Sequence, residues 1–211
     1  MNCYNIGKVT EEFDGKSSGG PAGGILASGS EVINCFNSGD IIVNKSVAGG
    51  ISATNVQNAE NCYNTGNVKG AVASGIIGYG SSQKLYKCYN TGNISAKTAP
   101  TGGILGVGYG DATCTECYNI GNIENKSPDL LGEIAPVSFG TTINCAFLQK
   151  ETNAPANGAT PKSKEEMDKI MDMQKFVDLL NQKVQEYNNN PENTTKLKSW
   201  KLENGKPVFA E

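Results

Sequence analysis

The chain has 211 residues, 18 of them Lys and 21 Asp or Glu, and it contains neither His nor Arg. Without His there is no Ser-His-Asp or Cys-His relay, no HExxH zinc site and no imidazole acid or base near neutral pH; without Arg there is no bidentate fork for phosphate, which argues against a nucleic-acid reader. With 26 Gly and only 37% apolar residues the composition cannot fill a thick globular core, yet it is too patterned for disorder.

In chain order, the first feature is a repeat. NCYNIGKV at Asn2 recurs as NCFNSGDI from Asn34, NCYNTGNV from Asn61, KCYNTGNI from Lys87 and ECYNIGNI from Glu116, with a decayed copy, NCAFL, from Asn144. The repeated cysteines are Cys3, Cys35, Cys62, Cys88, Cys117 and Cys145, spaced by 32, 27, 26, 29 and 28 residues. Between them runs a second phrase: GGILA at Gly23, GGISA at Gly49, SGIIG at Ser74, GGILG at Gly102 and LGEIA at Leu131. A period near 28, built from short apolar phrases and Gly turns, predicts one β-solenoid coil per repeat; the Gly density forbids helical repeats. Residues 1–148 are therefore read as an all-β solenoid, or β-helix, of about five coils with roughly three short parallel strands each.

Strand parity assigns the faces. The position before each Cys is polar (Asn2, Asn34, Asn61, Lys87, Glu116, Asn144), so it faces water and the Cys column faces the core. Val9, Ile41, Val68, Ile94 and Ile123, six places on, share the inward parity. Gly7, Gly39, Gly66, Gly92 and Gly121 mark a bend where positive φ is expected. Asn5, Asn37, Asn64, Asn90 and Asn119 would stack about 4.8 Å apart as a structural Asn ladder. In the Gly-Gly phrase, Ile25, Ile51, Ile76, Ile104 and then Glu133 form the column taken as inward, with Glu133 an exception in the final coil.

Residues 149–163 read as a connector, rich in Pro, Ala, Asn and Thr. Residues 164–211 form a small α+β unit. Ser163 and Glu166 make a capping box, and Met167, Ile170, Met171, Val177, Leu180 and Val184 give one apolar face, so a helix is predicted over about 164–187. Asn204-Gly205 between apolar runs predicts a hairpin. This unit is expected to cap the C-terminal end of the solenoid, with Trp200, Leu202, Val208 and Phe209 on the last coil near Ile134 and Ile143. There is no signal peptide and no apolar run long enough for a bilayer, so no membrane insertion is expected. Met1 leads straight into a repeat phrase, and the chain is expected to continue N-terminally into a larger polypeptide.

The C-Y-N-x-G-N-[IV] phrase followed by G-G-[IL]-x-[GA] resembles the GLUG-motif repeats of bacterial cell-surface and secreted proteins, with five copies over residues 2–135. The tail is similar to the segment that often follows such repeats: Phe176 to Asn181, Trp200, and Asn204 to Val208. The resemblance implies an extracellular β-solenoid used as a spacer or adhesion module, with a host or cell-wall glycan or protein as partner, and no shared active site.

The candidate chemistry is sparse. The ladder Cys are expected to be free, acting as small buried hydrophobes. Cys114-Thr-Glu-Cys117 is a C-x-x-C, but Cys114 aligns with Val32, Ala59, Leu85 and Thr142, a packing column, so no metal is expected. The solenoid carboxylates (Glu11, Glu12, Asp14, Glu31, Asp40, Glu60, Asp111, Glu116, Glu124, Asp129, Glu133) show no cluster for a paired acid and base or for calcium. No enzyme activity and no cofactor are expected. The alternative to a spacer is a carbohydrate-binding or carbohydrate-active module. Its candidate ligand-binding residues are Tyr63, Tyr89 and Tyr118, in the outward column Tyr4, Phe36, Tyr63, Tyr89, Tyr118, for which structural stacking is the favoured reading.

Overall fold

The computed structural model describes residues 3–11, 19–97, 99–136, 141–151, 153–193 and 196–210; Asn2, Glu12 and Asp14 lie outside them. The repeats wind into a parallel β-solenoid of about four turns. In the first coil the strands are Tyr4–Asn5, Val9–Thr10, Ala22–Gly23, Leu26–Ser28 and Glu31–Ile33, and each founds or joins a separate parallel sheet. A coil thus has five strand segments rather than three. The reason is local: the bend after each ladder Asn and the turn inside each Gly-Gly phrase cut the apolar runs into pieces of two to five residues.

The repeat register is literal. Tyr63 pairs with Phe36 and Tyr89, and Asn64 with Asn37 and Asn90, so the aligned columns are vertical neighbours. Cys35, Cys62, Cys88 and Cys117 are fully buried, as are Ile41 and Ile94. The residue before Cys serves as a corner as well as a polar position: Asn34, Asn61, Lys87, Glu116 and Asn144 have φ of 53, 49, 52, 51 and 51°. This left-handed conformation is tolerated best by Asn, which occurs at three of these five positions.

The bend glycines have a different cause from the one expected. None of Gly39, Gly66, Gly92 and Gly121 has positive φ. A Cβ on each would instead lie 1.9, 2.1, 2.0 and 2.0 Å from the carbonyl oxygen of the equivalent glycine one coil earlier. Close stacking of backbone on backbone excludes any side chain there.

The Gly-Gly phrase also corrects the sequence alignment. Gly23, Gly49, Ser74, Gly102 and Gly132 are in register, so the last phrase sits one residue later than its letters suggested. Ile134, not Glu133, completes the inward column of Ile25, Ile51, Ile76 and Ile104. Glu133 occupies the column of Gly24, Gly50, Gly75 and Gly103. At Gly50 and Gly103 a Cβ would fall 2.5 Å from the Cγ of Asn64 and Asn119, so the Asn row and this Gly column meet inside the coil. Two apolar clusters result. One holds the Cys and Ile columns with Val32, Ala59 and Leu85; the other holds Ile41, Val68 and Ile94 with Ala48 and Ala73.

Beyond the repeats, Thr160–Lys162 adds a seventh strand to the sheet that ends with Ala146–Leu148. Two helices follow, α1 (Lys164–Ile170) and α2 (Met173–Asn189), where one was predicted. The capping box of Ser163 and Glu166 starts α1. The break falls where Asp172 accepts from the amide of Lys175 and opens a new N-terminus. The hairpin Trp200–Glu203 and Lys206–Phe209 turns at Asn204 and Gly205, φ 51 and 74°, as a two-residue turn requires. No helix among the described residues is long and apolar enough to cross a membrane.

The expected capping role falls to a different segment. The connector closes the C-terminal end: Ala156 and Ala159 pack with Phe147 and Cys145, and Pro155 accepts from the amide of Glu133. α2 and the hairpin lie along the side of the stack, over the aromatic column, and reach the first coil at Tyr4. Ile143, proposed as a docking point, is exposed, and Ile134 is buried in the solenoid core instead. The apolar face of α2, Phe176, Val177, Leu180 and Val184, is buried against the aromatic column.

Candidate functional site

Three columns from the sequence reading come together as one layered structure. Outermost is the aromatic column. Phe36 and Tyr63 are 0% and 3% exposed, enclosed by Phe176, Val177, Leu180, Val184 and Trp200. Phe36 and Tyr63 stack with ring centroids 5.8 Å apart, and Tyr89 and Tyr118 at 5.3 Å with planes 6° apart. The Tyr63 hydroxyl lies 3.3 Å from the Thr91 hydroxyl, and burial raises its pKa to about 12. Burial pushes Tyr89 and Tyr118 upward as well, although both remain partly exposed. The three candidate glycan residues are thus on one face but unequal: Tyr63 is inside a third apolar cluster, and only Tyr89 and Tyr118 keep surface.

On the inner side of the same strands is the Asn ladder. Asn5, Asn37, Asn64 and Asn90 each donate Nδ2–H to the Oδ1 of the next Asn at 2.8, 2.7, 2.8 and 2.8 Å. The second amide hydrogen goes to the carbonyl of Gly7, Gly39, Gly66 or Gly92 two residues on. Every donor in the row is spent, and the row is polar: donors face the C-terminal end. It ends at Glu133, whose carboxylate accepts from Asn119 Nδ2 at 3.1 Å, Asn153 Nδ2 at 3.0 Å and the Ala154 amide at 3.1 Å. Lys150 Nζ stands 4.0 Å from this carboxylate and donates to the Gly121 carbonyl at 2.7 Å. Burial lowers the Lys150 pKa, with Glu133 opposing the shift. A shallow cavity of about 440 Å³ opens beside Glu133 and Lys150. Sequence reasoning treated Glu133 as a pattern failure; the missing signal was its alignment with glycines that stand against Asn amides.

No disulfide forms among the described residues; Cys3 is exposed and the other six cysteines are buried. The ladder thiols donate to carbonyls: Cys62 Sγ to Glu60 at 3.3 Å, Cys117 Sγ to Thr115 at 3.4 Å and Cys145 Sγ to Cys114 at 3.1 Å. Burial holds Cys62, Cys88 and Cys117 well above the ordinary thiol range, which suppresses thiolate chemistry. Cys114 pairs in register with Leu85 and Thr142 and is fully buried. Among the described residues no three of Cys, Asp and Glu gather to hold a metal ion. Of the described carboxylates, Glu11 accepts from the Asn44 amide at 2.8 Å and Asp40 from the Asn67 amide at 3.0 Å, both tying neighbouring coils together.

The larger cavity, about 560 Å³, was not anticipated. It lies at the first coil, between Tyr4 and the tail, with Leu180, Val184, Tyr187, Trp200 and Phe209 among its walls. Tyr4 is set edge-on to Trp200 and Phe209, centroids 5.0 and 4.5 Å apart.

Comparison with protein-family models, curated proteins and solved structures finds no match to this chain.

Proposed function

We propose that the chain is a non-enzymatic, extracellular spacer or adhesion module of a bacterial surface protein, as its resemblance to GLUG-motif repeats implies. The observation that carries this reading is the cover that α2 and the hairpin place over Phe36 and Tyr63, which turns the middle of the best candidate ligand platform into packing surface. The other two rows are engaged in the same way. The Asn amides bond to one another, and the ladder thiols bond to backbone carbonyls. What such a stack supplies is a stiff axial unit, whose length grows with the number of coils.

A glycan-binding module is the second reading, supported by the partly exposed, parallel-stacked pair Tyr89 and Tyr118. A glycan panel probed with the wild type and with Tyr89→Ala and Tyr118→Ala, each variant also melted, separates the two. The spacer reading expects no specific signal for any of the proteins. Specific binding by the wild type that is lost in variants of unchanged melting temperature would replace it with the glycan-binding one.

A further inference from the structure

Asn119 differs from the other ladder asparagines in what surrounds its amide. Asn5, Asn37, Asn64 and Asn90 each pass one Nδ2–H to the next Asn in the row. Asn119 passes that hydrogen to Glu133 Oε2 at 3.1 Å instead, and the other goes to the Gly121 carbonyl at 3.1 Å. Its Oδ1 accepts twice, from Asn90 Nδ2 at 2.8 Å and from the Gly121 amide at 3.2 Å. Asn119 and Glu133 are both buried, so these bonds polarise the amide in a low-dielectric interior.

An amine converges on the same place. Lys150 Nζ donates to the Gly121 carbonyl at 2.7 Å and stands 4.0 Å from Glu133 Oε2, the same two oxygens that Asn119 Nδ2 contacts. The amine and the amide nitrogen therefore lie within two hydrogen-bond lengths of each other. Desolvation by burial lowers the Lys150 pKa, which favours the neutral amine and its lone pair. As an ion pair the contact is poorly made. At 4.0 Å it is longer than a hydrogen bond, and the carboxylate accepts instead from Asn119, Asn153 and the Ala154 amide.

We propose that Lys150 and Asn119 join through an isopeptide bond, which ties the start of the connector to the coil before it. Lys150 Nζ attacks Asn119 Cγ, and the charge that develops on Oδ1 is held by the Asn90 Nδ2–H and Gly121 N–H already aimed at it. Glu133 takes one proton from Nζ and delivers it to Nδ2; the Cγ–Nδ2 bond breaks and ammonia leaves. Nothing is oxidised or reduced, and no further reactant is consumed. The cavity of about 440 Å³ beside Glu133 and Lys150 gives ammonia its way out. Asn153 also donates to Glu133, but through the other carboxylate oxygen, and its Oδ1 is taken by the Gln149 side chain and the Lys150 backbone amide. Once joined, Lys150 no longer titrates.

The experiment weighs the purified chain, denatured, by intact-mass spectrometry and maps its peptides by tandem mass spectrometry, alongside Lys150→Met and Glu133→Gln. The wild type is expected to be lighter than its sequence by one ammonia and to yield a branched peptide joining the Lys150 and Asn119 segments. It should also melt several degrees above Lys150→Met, because the bond closes the loop between the two residues. Lys150→Met should keep its full mass, as should Glu133→Gln, whose fold is checked by circular dichroism. A wild type that keeps its full sequence mass after prolonged incubation would overturn the proposal, as would a bond from Lys150 to Asn153. So would an equal loss of mass in Lys150→Met, which would mark an internal succinimide at an Asn such as Asn204, which precedes Gly205. Joining of Glu133→Gln at the wild-type rate would overturn the role given to Glu133.

Discussion

The glycines and asparagines of this chain form a single device. Each ladder Asn needs a partner coil close enough for amide-to-amide bonds and an opposite wall thin enough to admit the side chain; Gly39 and its equivalents supply the first, Gly50 and its equivalents the second. One buried side chain stands outside this economy. Gln83 is fully buried, and neither its Oε1 nor its Nε2 has a hydrogen-bond partner among the described residues. An unpaired buried amide costs on the order of 1–3 kcal/mol. Gln83→Met, of similar length and without the amide, is expected to raise stability by about 1–2 kcal/mol in denaturant unfolding. A loss of stability would show that the amide has a partner, such as an ordered water.

At the scale of elements, the decisive event is the return of α2 along the aromatic column. Its apolar residues Phe176, Val177, Leu180 and Val184 cover Phe36 and Tyr63, and the Asn181 side chain bonds both backbone groups of Trp200, at 2.6 and 2.8 Å, fixing the hairpin to the helix. A stack of equally exposed rings would lose about 0.5–1.5 kcal/mol per Tyr→Ala. The enclosed geometry instead predicts about 3–5 kcal/mol for Tyr63→Ala, a core truncation, and about 1 kcal/mol for the partly exposed Tyr118→Ala. Equal costs for the two variants in chemical denaturation would mean that α2 does not close this face. The repeat period, strand parity, Asn row, capping box and hairpin were all legible, because each is written in local spacing. The docking of the tail was not. Trp200 and Phe209 plainly needed an apolar partner, but a column of Tyr on the outward parity reads as surface until the helix that covers it is placed. The position of Glu133 was missed for a related reason: with one Gly left in LGEIA, only pairing with Gly102 fixes which one it is.

Across the whole molecule, the thiol column makes the solenoid sensitive to alkali. Cys35 is held well above the ordinary thiol range first by its hydrogen bond with Cys62 and then by burial, and Cys62, Cys88 and Cys117 are held there chiefly by burial. In the unfolded chain these thiols ionise near the reference value of 9.0. Above that pH the unfolded state has lost protons that the folded state still holds, so stability is complete below pH 9 and falls as pH rises. Each such thiol contributes a slope of about 1.4 kcal/mol per pH unit, and four together about 5.5 kcal/mol per pH unit, so that one unit costs an amount comparable with the whole stability of a typical domain. Lys150 and Cys145 act in the opposite direction: the lowered pKa of Lys150 adds stability as pH approaches 10.5, and that of Cys145, lowered chiefly by its hydrogen bond with Cys117, adds stability up to pH 9, so two groups stand against four. Tyr63, at about 12, reinforces the loss only above pH 10. Unfolding followed by circular dichroism under reducing conditions should therefore show a steep loss of stability within about one to two units above pH 9. Replacing both Cys62 and Cys88 with Ala should lower stability at pH 7 but roughly halve the alkaline slope. A slope unchanged by that double replacement would place the alkaline sensitivity in groups other than the ladder thiols.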